Sequence, residues 1–266
     1  MTLASSMRSA VEAFDSRLPT RRGITVLIYH RVGGGSSSGV DIEPSVFEAQ
    51  LDHLVQHHRV LTLDDAVSAL GSGSDAHGVV LTFDDGTADF VEHAVPLLQR
   101  FAVPATLYVA TSFVDSSTTF PWGAAPVSWS GLADAVSTGL VTIGSHTHTH
   151  RLLRDASERE VIDEVRRSSD LITERLGVVA RHRLRVGEVP GSRAAERVVR
   201  SSFVSAALAG NGTNRAANVD LHRLRRTPVR RSDSAAVFAA RARGGMRLEG
   251  SLRSTATVFR FRRSSV

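Results

Sequence analysis

Apolar positions along this chain fall into short, dense runs separated by stretches with helical spacing. Ile24–Tyr29 is a continuous run of strand-forming residues that ends at His30. Ser45–His58 follows, with Phe47, Leu51 and Leu54 spaced for one face of a helix. Val79–Phe83 is a second buried strand, closed by Asp84-Asp85-Gly86. Ala88–Phe101 has helical spacing but carries Pro96, which should kink it. Pro104 leads into a third strand, Ala105–Ala110. Ser128 suits the N-cap of a helix over Trp129–Thr138; Gly139 stops it, and Leu140–Ile143 is the next strand. Ser157 and Glu160 fit a capping box opening the helix Ser157–Leu176, with Val161, Val165, Ile172 and Leu176 on one face. A short helix, Ala194–Ser201, and an apolar strand, Phe203–Leu208, complete the pattern.

Repeated strand–helix alternation predicts an α/β fold, a mostly parallel sheet with helical crossovers, either a barrel or open. In such folds function gathers at the C-terminal ends of the strands. That rule singles out His30, the Asp84–Asp85 pair and the histidines after Ile143. The pattern divides the chain into three parts. Residues 1–23 form an N-terminal helical extension with Met7, Val11 and Phe14 at helical spacing, and residues 24–210 form one α/β domain. Residues 211–266 are an Arg-rich C-terminal segment in which periodicity weakens, expected to pack on the same domain. Gly33–Gly39 and Gly71–Gly78 read as flexible surface loops.

Charge sharpens the division. All 32 basic residues are Arg, and the formal net charge is +5. Residues 1–180 hold 13 Arg against 22 acidic residues, whereas residues 181–266 hold 19 against 5. With no cysteine there is no disulfide, thiolate metal site or Cys nucleophile. No window approaches the roughly 20 apolar residues of a membrane-spanning helix. The N-terminal stretch lacks the apolar core of a signal peptide, so a cytoplasmic location is the expectation. Arg223, Arg225, Arg226, Arg230 and Arg231 crowd into nine residues, which raises a nucleic-acid-binding alternative. No recognition helix, zinc finger or aromatic-interleaved motif accompanies them, so a basic surface facing solvent or substrate is the better reading. An anionic glycan or a membrane surface would suit the same charge.

Two clusters carry chemistry. Thr82-Phe83-Asp84-Asp85-Gly86 puts two adjacent carboxylates at a strand end. Their side chains point different ways, so one can bind a cation while the other stays free as a base. The competing reading is an acidic turn at a helix start. Gly144-Ser145-His146-Thr147-His148-Thr149-His150 places three imidazoles within five residues, directly after a strand. On a helical turn His146 and His150 share a face, and on an extended segment all three do. Either geometry offers two imidazoles to one metal, with a carboxylate to complete the set.

Together these motifs resemble the NodB-homology polysaccharide deacetylases, carbohydrate esterase family 4. Tyr29-His30-Arg31-Val32, the run Phe101–Thr111 and the stretch from Phe120 to Trp129 extend the similarity over residues 24–210. The resemblance implies a distorted (β/α) barrel, a divalent metal that is commonly Zn2+, and hydrolysis of N-acetyl groups on an amino-sugar glycan. By position, Asp84 matches the family's general base, and Asp85, His146 and His150 its metal ligands. His148 lies between the ligands, behind them or toward solvent, and Thr147 matches a small hydroxyl residue that helps order the loop. His30 lines the cleft as a candidate substrate contact. Trp122 can stack on a sugar, whereas Trp129 reads as packing. The chain departs from the family at Arg181–Gly187, where an aromatic- and Pro-containing motif belongs. It departs again at His222, whose surroundings do not match the family's late histidine. Two alternatives stay open: another metal-dependent C–N hydrolase on the same barrel, or a glycan-binding relative that keeps the metal without turnover.

Overall fold

Runs of β-branched and aromatic residues without polar alternation need cover on both faces, and a parallel sheet wrapped in helices supplies it. A computed structural model describes residue 15 and residues 22–153, 156–184 and 192–246. It contains a closed barrel of seven parallel strands with helices packed around it. In chain order the elements are β1 (Ile24–Tyr29), β2 (Arg31–Val32), β3 (Asp41–Ile42), α1 (Pro44–His57), α2 (Leu63–Gly71) and β4 (Gly78–Phe83). Next come α3 (Val95–Phe101), β5 (Ala105–Val109), α4 (Thr111–Ser116), α5 (Trp129–Ser137), β6 (Val141–Ser145) and α6 (Glu158–Leu176). The last are β7 (His182–Leu184), α7 (Arg193–Ser202), β8 (Ser205–Ala209), β9 (Leu224–Pro228) and α8 (Ala235–Ala242). The barrel runs β1-β4-β5-β6-β7-β8-β9, and β9 closes it by pairing with β1 from Val26–Arg226 to Ile28–Pro228. The short pair β2–β3 stands apart from it.

Aromatic packing fixes the strand ends that matter. Tyr29 stacks on Phe83 at 5.1 Å, and Phe47 of α1 meets both rings edge-on. Phe83 also meets Phe90 edge-on at 4.9 Å. The Tyr29 hydroxyl donates to Gln50 Oε1, so this buried ring leaves no orphaned proton. The last residues of β1 and β4 are thereby locked side by side, and His30 and Asp84 emerge next to each other.

Several expectations need adjustment. Pro96 does not kink a continuous helix. A wider π-type turn over Phe90–Ala94 precedes α3, and Pro96 falls in the first turn of that helix, where a missing N–H is tolerated. The fourth strand runs on to Ser145, two residues past the apolar run. Helices α2, α4 and α8 and strands β7 and β9 were not visible in the hydrophobic pattern. Residues 211–246 supply β9 and α8, so the barrel draws a strand from the Arg-rich segment. The helical extension lies outside the described residues, apart from Asp15. No helix among the described residues is long and apolar enough to cross a membrane.

Candidate metal centre

The turn after β4 is tight because two consecutive residues adopt left-handed backbone: Asp85 at φ 75° and Gly86 at φ 91°. Such a conformation costs a non-glycine residue roughly 1–3 kcal/mol and persists only where its surroundings fix it. Here the Asp84 N–H donates to Tyr29 O, the Ala110 N–H to Asp85 O and the Val127 N–H to Gly86 O. The outcome is that the two adjacent carboxylates diverge.

Asp84 turns into the barrel. Arg226 of β9 grips it with two hydrogen bonds, Nη1 to Oδ1 at 2.7 Å and Nη2 to Oδ2 at 3.0 Å. The same guanidinium donates to Thr82 Oγ1 at 2.9 Å and lies 5.4 Å from the Tyr108 ring centre. His30 Nε2 stands 3.7 Å from Asp84 Oδ2, with about 29% of its side chain exposed.

Asp85 turns the other way. Its Oδ1 lies 3.4 Å from His146 Nε2 and 3.2 Å from His150 Nε2. One ligand atom from each of the three residues lies within 4.8 Å of the other two. Burial opposes ionisation of Asp85, but contacts with His146 and His150 outweigh it and hold the carboxyl well below the usual range. Burial pushes His146 down, which favours the neutral imidazole that binds metal. Two imidazoles and one carboxylate converging on one point, with Asp85 and His146 buried and His150 partly exposed, fit a divalent cation. One departure is that His146 Nδ1 is buried without a hydrogen-bond partner among the described residues, where a metal-bound histidine usually donates to a neighbour.

The histidine loop is held on two sides. The His146 N–H donates to Val109 O and the Ser112 N–H to His148 O. His148 is turned to Thr111, with Nδ1 at 3.0 Å from its hydroxyl, and is buried rather than facing solvent. Thr147 Oγ1 has no hydrogen-bond partner among the described residues, so its hydroxyl does not order the loop. That work falls to Glu164 of α6, which accepts hydrogen bonds from the His148 and Thr149 N–H groups and from Thr149 Oγ1. Gly144 has no room for a side chain, since a Cβ there would lie 2.6 Å from Tyr108 Cδ1. Beside the cluster, Trp122 is 46% exposed, stacks on Phe120 and meets His150 edge-on at 5.6 Å. Trp129 is partly buried against the core and donates from Nε1 to Asp115 at 3.3 Å.

The departures seen in the sequence also acquire positions. Arg183 is buried at the level of Ser145 on the neighbouring strand, while Arg185 lies outside the described residues. His182 points elsewhere, between Ser205 Oγ and Asp64 Oδ1. His222 is held by Phe203 O before β9 begins, so it does not join Asp84. Arg226 and Glu164 are charged residues of the site to which the sequence pattern assigned no role there. A Glu three residues after Val161, on the apolar face of a helix, was the available signal for the second.

Comparison with known proteins bears on the chain and its fold. Residues 72–201 match the family model described as polysaccharide deacetylase. A poly-beta-1,6-N-acetyl-D-glucosamine N-deacetylase of Staphylococcus aureus is 28% identical over 50% of this chain and 48% of its own length. The chain therefore matches about half the length of that curated relative. Among solved structures, IcaB from Ammonifex degensii superposes with a TM-score of 0.73 at 24% identity, over 85% of this chain and 98% of that one. The Streptococcus pyogenes deacetylase PplD, in complex with acetate, gives 0.74 at 22% identity, over 84% and 99%. At these identities the two structures establish the shared barrel.

Proposed function

We propose that this chain, a member of the polysaccharide deacetylase family, is a metal-dependent hydrolase that removes N-acetyl groups from an amino-sugar glycan. The observation that carries the reading is the convergence of Asp85, His146 and His150 on one point, beside an Asp84 carboxylate turned the opposite way. A polymer of N-acetylglucosamine is the first substrate to test, since that is what the Staphylococcus relative is named for.

Asp85, His146 and His150 would hold a divalent cation, zinc first, supplying Lewis acidity for the acetamide carbonyl and nucleophilic water near neutral pH. Asp84 accepts the proton of the attacking water. Arg226 fixes the plane of that carboxylate while leaving lone pairs on both oxygens free to accept. No late histidine reaches this end of the barrel among the described residues, and His222 is engaged elsewhere. His30, partly exposed beside Asp84, is the imidazole we assign to the substrate, within reach of the departing amine. Trp122 offers an apolar ring face to a pyranose next to His150.

Metal analysis combined with acetate release tests the assignment. Wild type should carry one divalent ion and release acetate. Asp84→Asn should keep the ion and lose activity by ~10²–10⁴-fold. Stoichiometric metal without acetate release from any amino-sugar polymer would mean glycan binding without turnover. Wild type that takes up no divalent metal would defeat the ligand assignment.

A further inference from the structure

The loop between β6 and α6 carries both histidines of the cluster, and two of its residues sit in left-handed backbone without being glycine: Thr147 at φ 67° and His150 at φ 59°. A loop bent in this way keeps its shape only if something outside it fixes the backbone. Two side chains one turn apart on α6 do so. Glu164 Oε2 accepts from the N–H groups of His148 and Thr149, both at 2.9 Å, and its Oε1 accepts from Thr149 Oγ1 at 2.6 Å. Ser168 Oγ lies 2.9 Å from Ser145 Oγ, which in turn accepts from the Thr147 N–H. Both residues are buried on the face of α6 that otherwise presents Val161, Val165 and Ile172. A carboxylate at such a position is costly to desolvate unless its oxygens are satisfied. The three hydrogen bonds above all go to the segment between His146 and His150.

We infer that Glu164 is a positioning residue for the metal centre: by clamping the backbone of His148 and Thr149 it sets the separation of the His146 and His150 imidazoles and thereby the affinity for the cation. The inference rests on the ligand assignment proposed above. Glu164 need not touch the metal, and it lies outside the motifs that suggested the site.

The test is a zinc competition titration against a chromophoric chelator on the metal-free full chain, with thermal unfolding of the same samples. Glu164→Leu keeps the volume and removes the acceptors, and should weaken zinc binding by ~10–100-fold, the usual effect of losing a group that orients metal ligands. Glu164→Gln can still accept from the two N–H groups and donate to Thr149 Oγ1, and should stay within about threefold of wild type. Ile172→Val, buried on the same helix but away from the loop, should lower the unfolding temperature and leave zinc affinity unchanged. Should the Leu variant fail to fold, Glu164→Asp, too short to reach both N–H groups, should show the loss. Zinc affinity near wild type in both the Leu and Asp variants, or an equal loss in Ile172→Val, would overturn the inference. So would a Gln variant that falls as far as Leu. Wild type that binds no zinc would instead defeat the ligand assignment, so the two failures are distinct.

Discussion

A guanidinium inside a barrel needs a partner that replaces water, and Arg226 has the Asp84 carboxylate on its N–H fork and the Tyr108 ring nearby. Replacing it with Leu leaves Asp84 buried and unmatched. Arg226→Leu should therefore destabilise the protein by about 3–5 kcal/mol, read from urea unfolding, and a loss under ~1 kcal/mol would mean that the pair is not maintained in solution. The two acidic residues of the turn and the histidines were legible in the sequence because each set is nearly contiguous. Arg226 was not, because the reason for an Arg at that position lies 142 residues away at Asp84. Glu164 was hidden differently: two of its three partners are backbone N–H groups, so only its own place on an apolar helix face marked it.

Helix α6 is the element whose sequence and structure agree most closely. Ser157 caps it, Glu160 closes the capping box, and Gly177 ends it in left-handed backbone at φ 67°. The Glu160 carboxyl is brought down to about 2, first by the Ser157 N–H, then by the Ser157 hydroxyl and Arg151. Because the folded value is depressed, this stabilisation is full above the ordinary glutamate value of 4.5 and is lost as pH falls toward 2. NMR titration of the side-chain carboxyl should give a midpoint near 2, and a midpoint near 4.5 would show that the capping box is open in solution. Strands β1, β4 and β5 were equally readable, as fully buried apolar runs need no partner to identify them. Strand β9, Leu-Arg-Arg-Thr-Pro, defeats that logic: Arg225 faces solvent and Arg226 faces inward, so both positions look polar. The short strand β7 hides in the same way, with His182 and Arg183 both buried. Helix α8 escaped because its interior positions are largely Ala, which adds little apolar contrast.

For the molecule as a whole, part of the charge asymmetry is met by pairing. Arg226 with Asp84, Arg181 with Asp64, Arg197 with Glu158 and Arg231 with Glu43 each join the basic C-terminal third to the acidic remainder. Pairing leaves these four guanidinium groups, all among the described residues, already facing carboxylates and so poorly placed to take a phosphate. It also makes the last strand indispensable. A chain ended before Leu224 would expose the edges of β1 and β8 and leave Asp84 without Arg226. Such a truncation should give no cooperative thermal transition and no near-ultraviolet dichroism, and a sharp melt would contradict a barrel closed by β9. The closure has a consequence in time. During synthesis Asp85, His146 and His150 have all left the ribosome several seconds before Arg226, at roughly 5–20 residues per second. The residues proposed to hold a cation therefore emerge first yet take up their places together with Asp84 and Arg226, when the strand that leaves the ribosome last shuts the barrel.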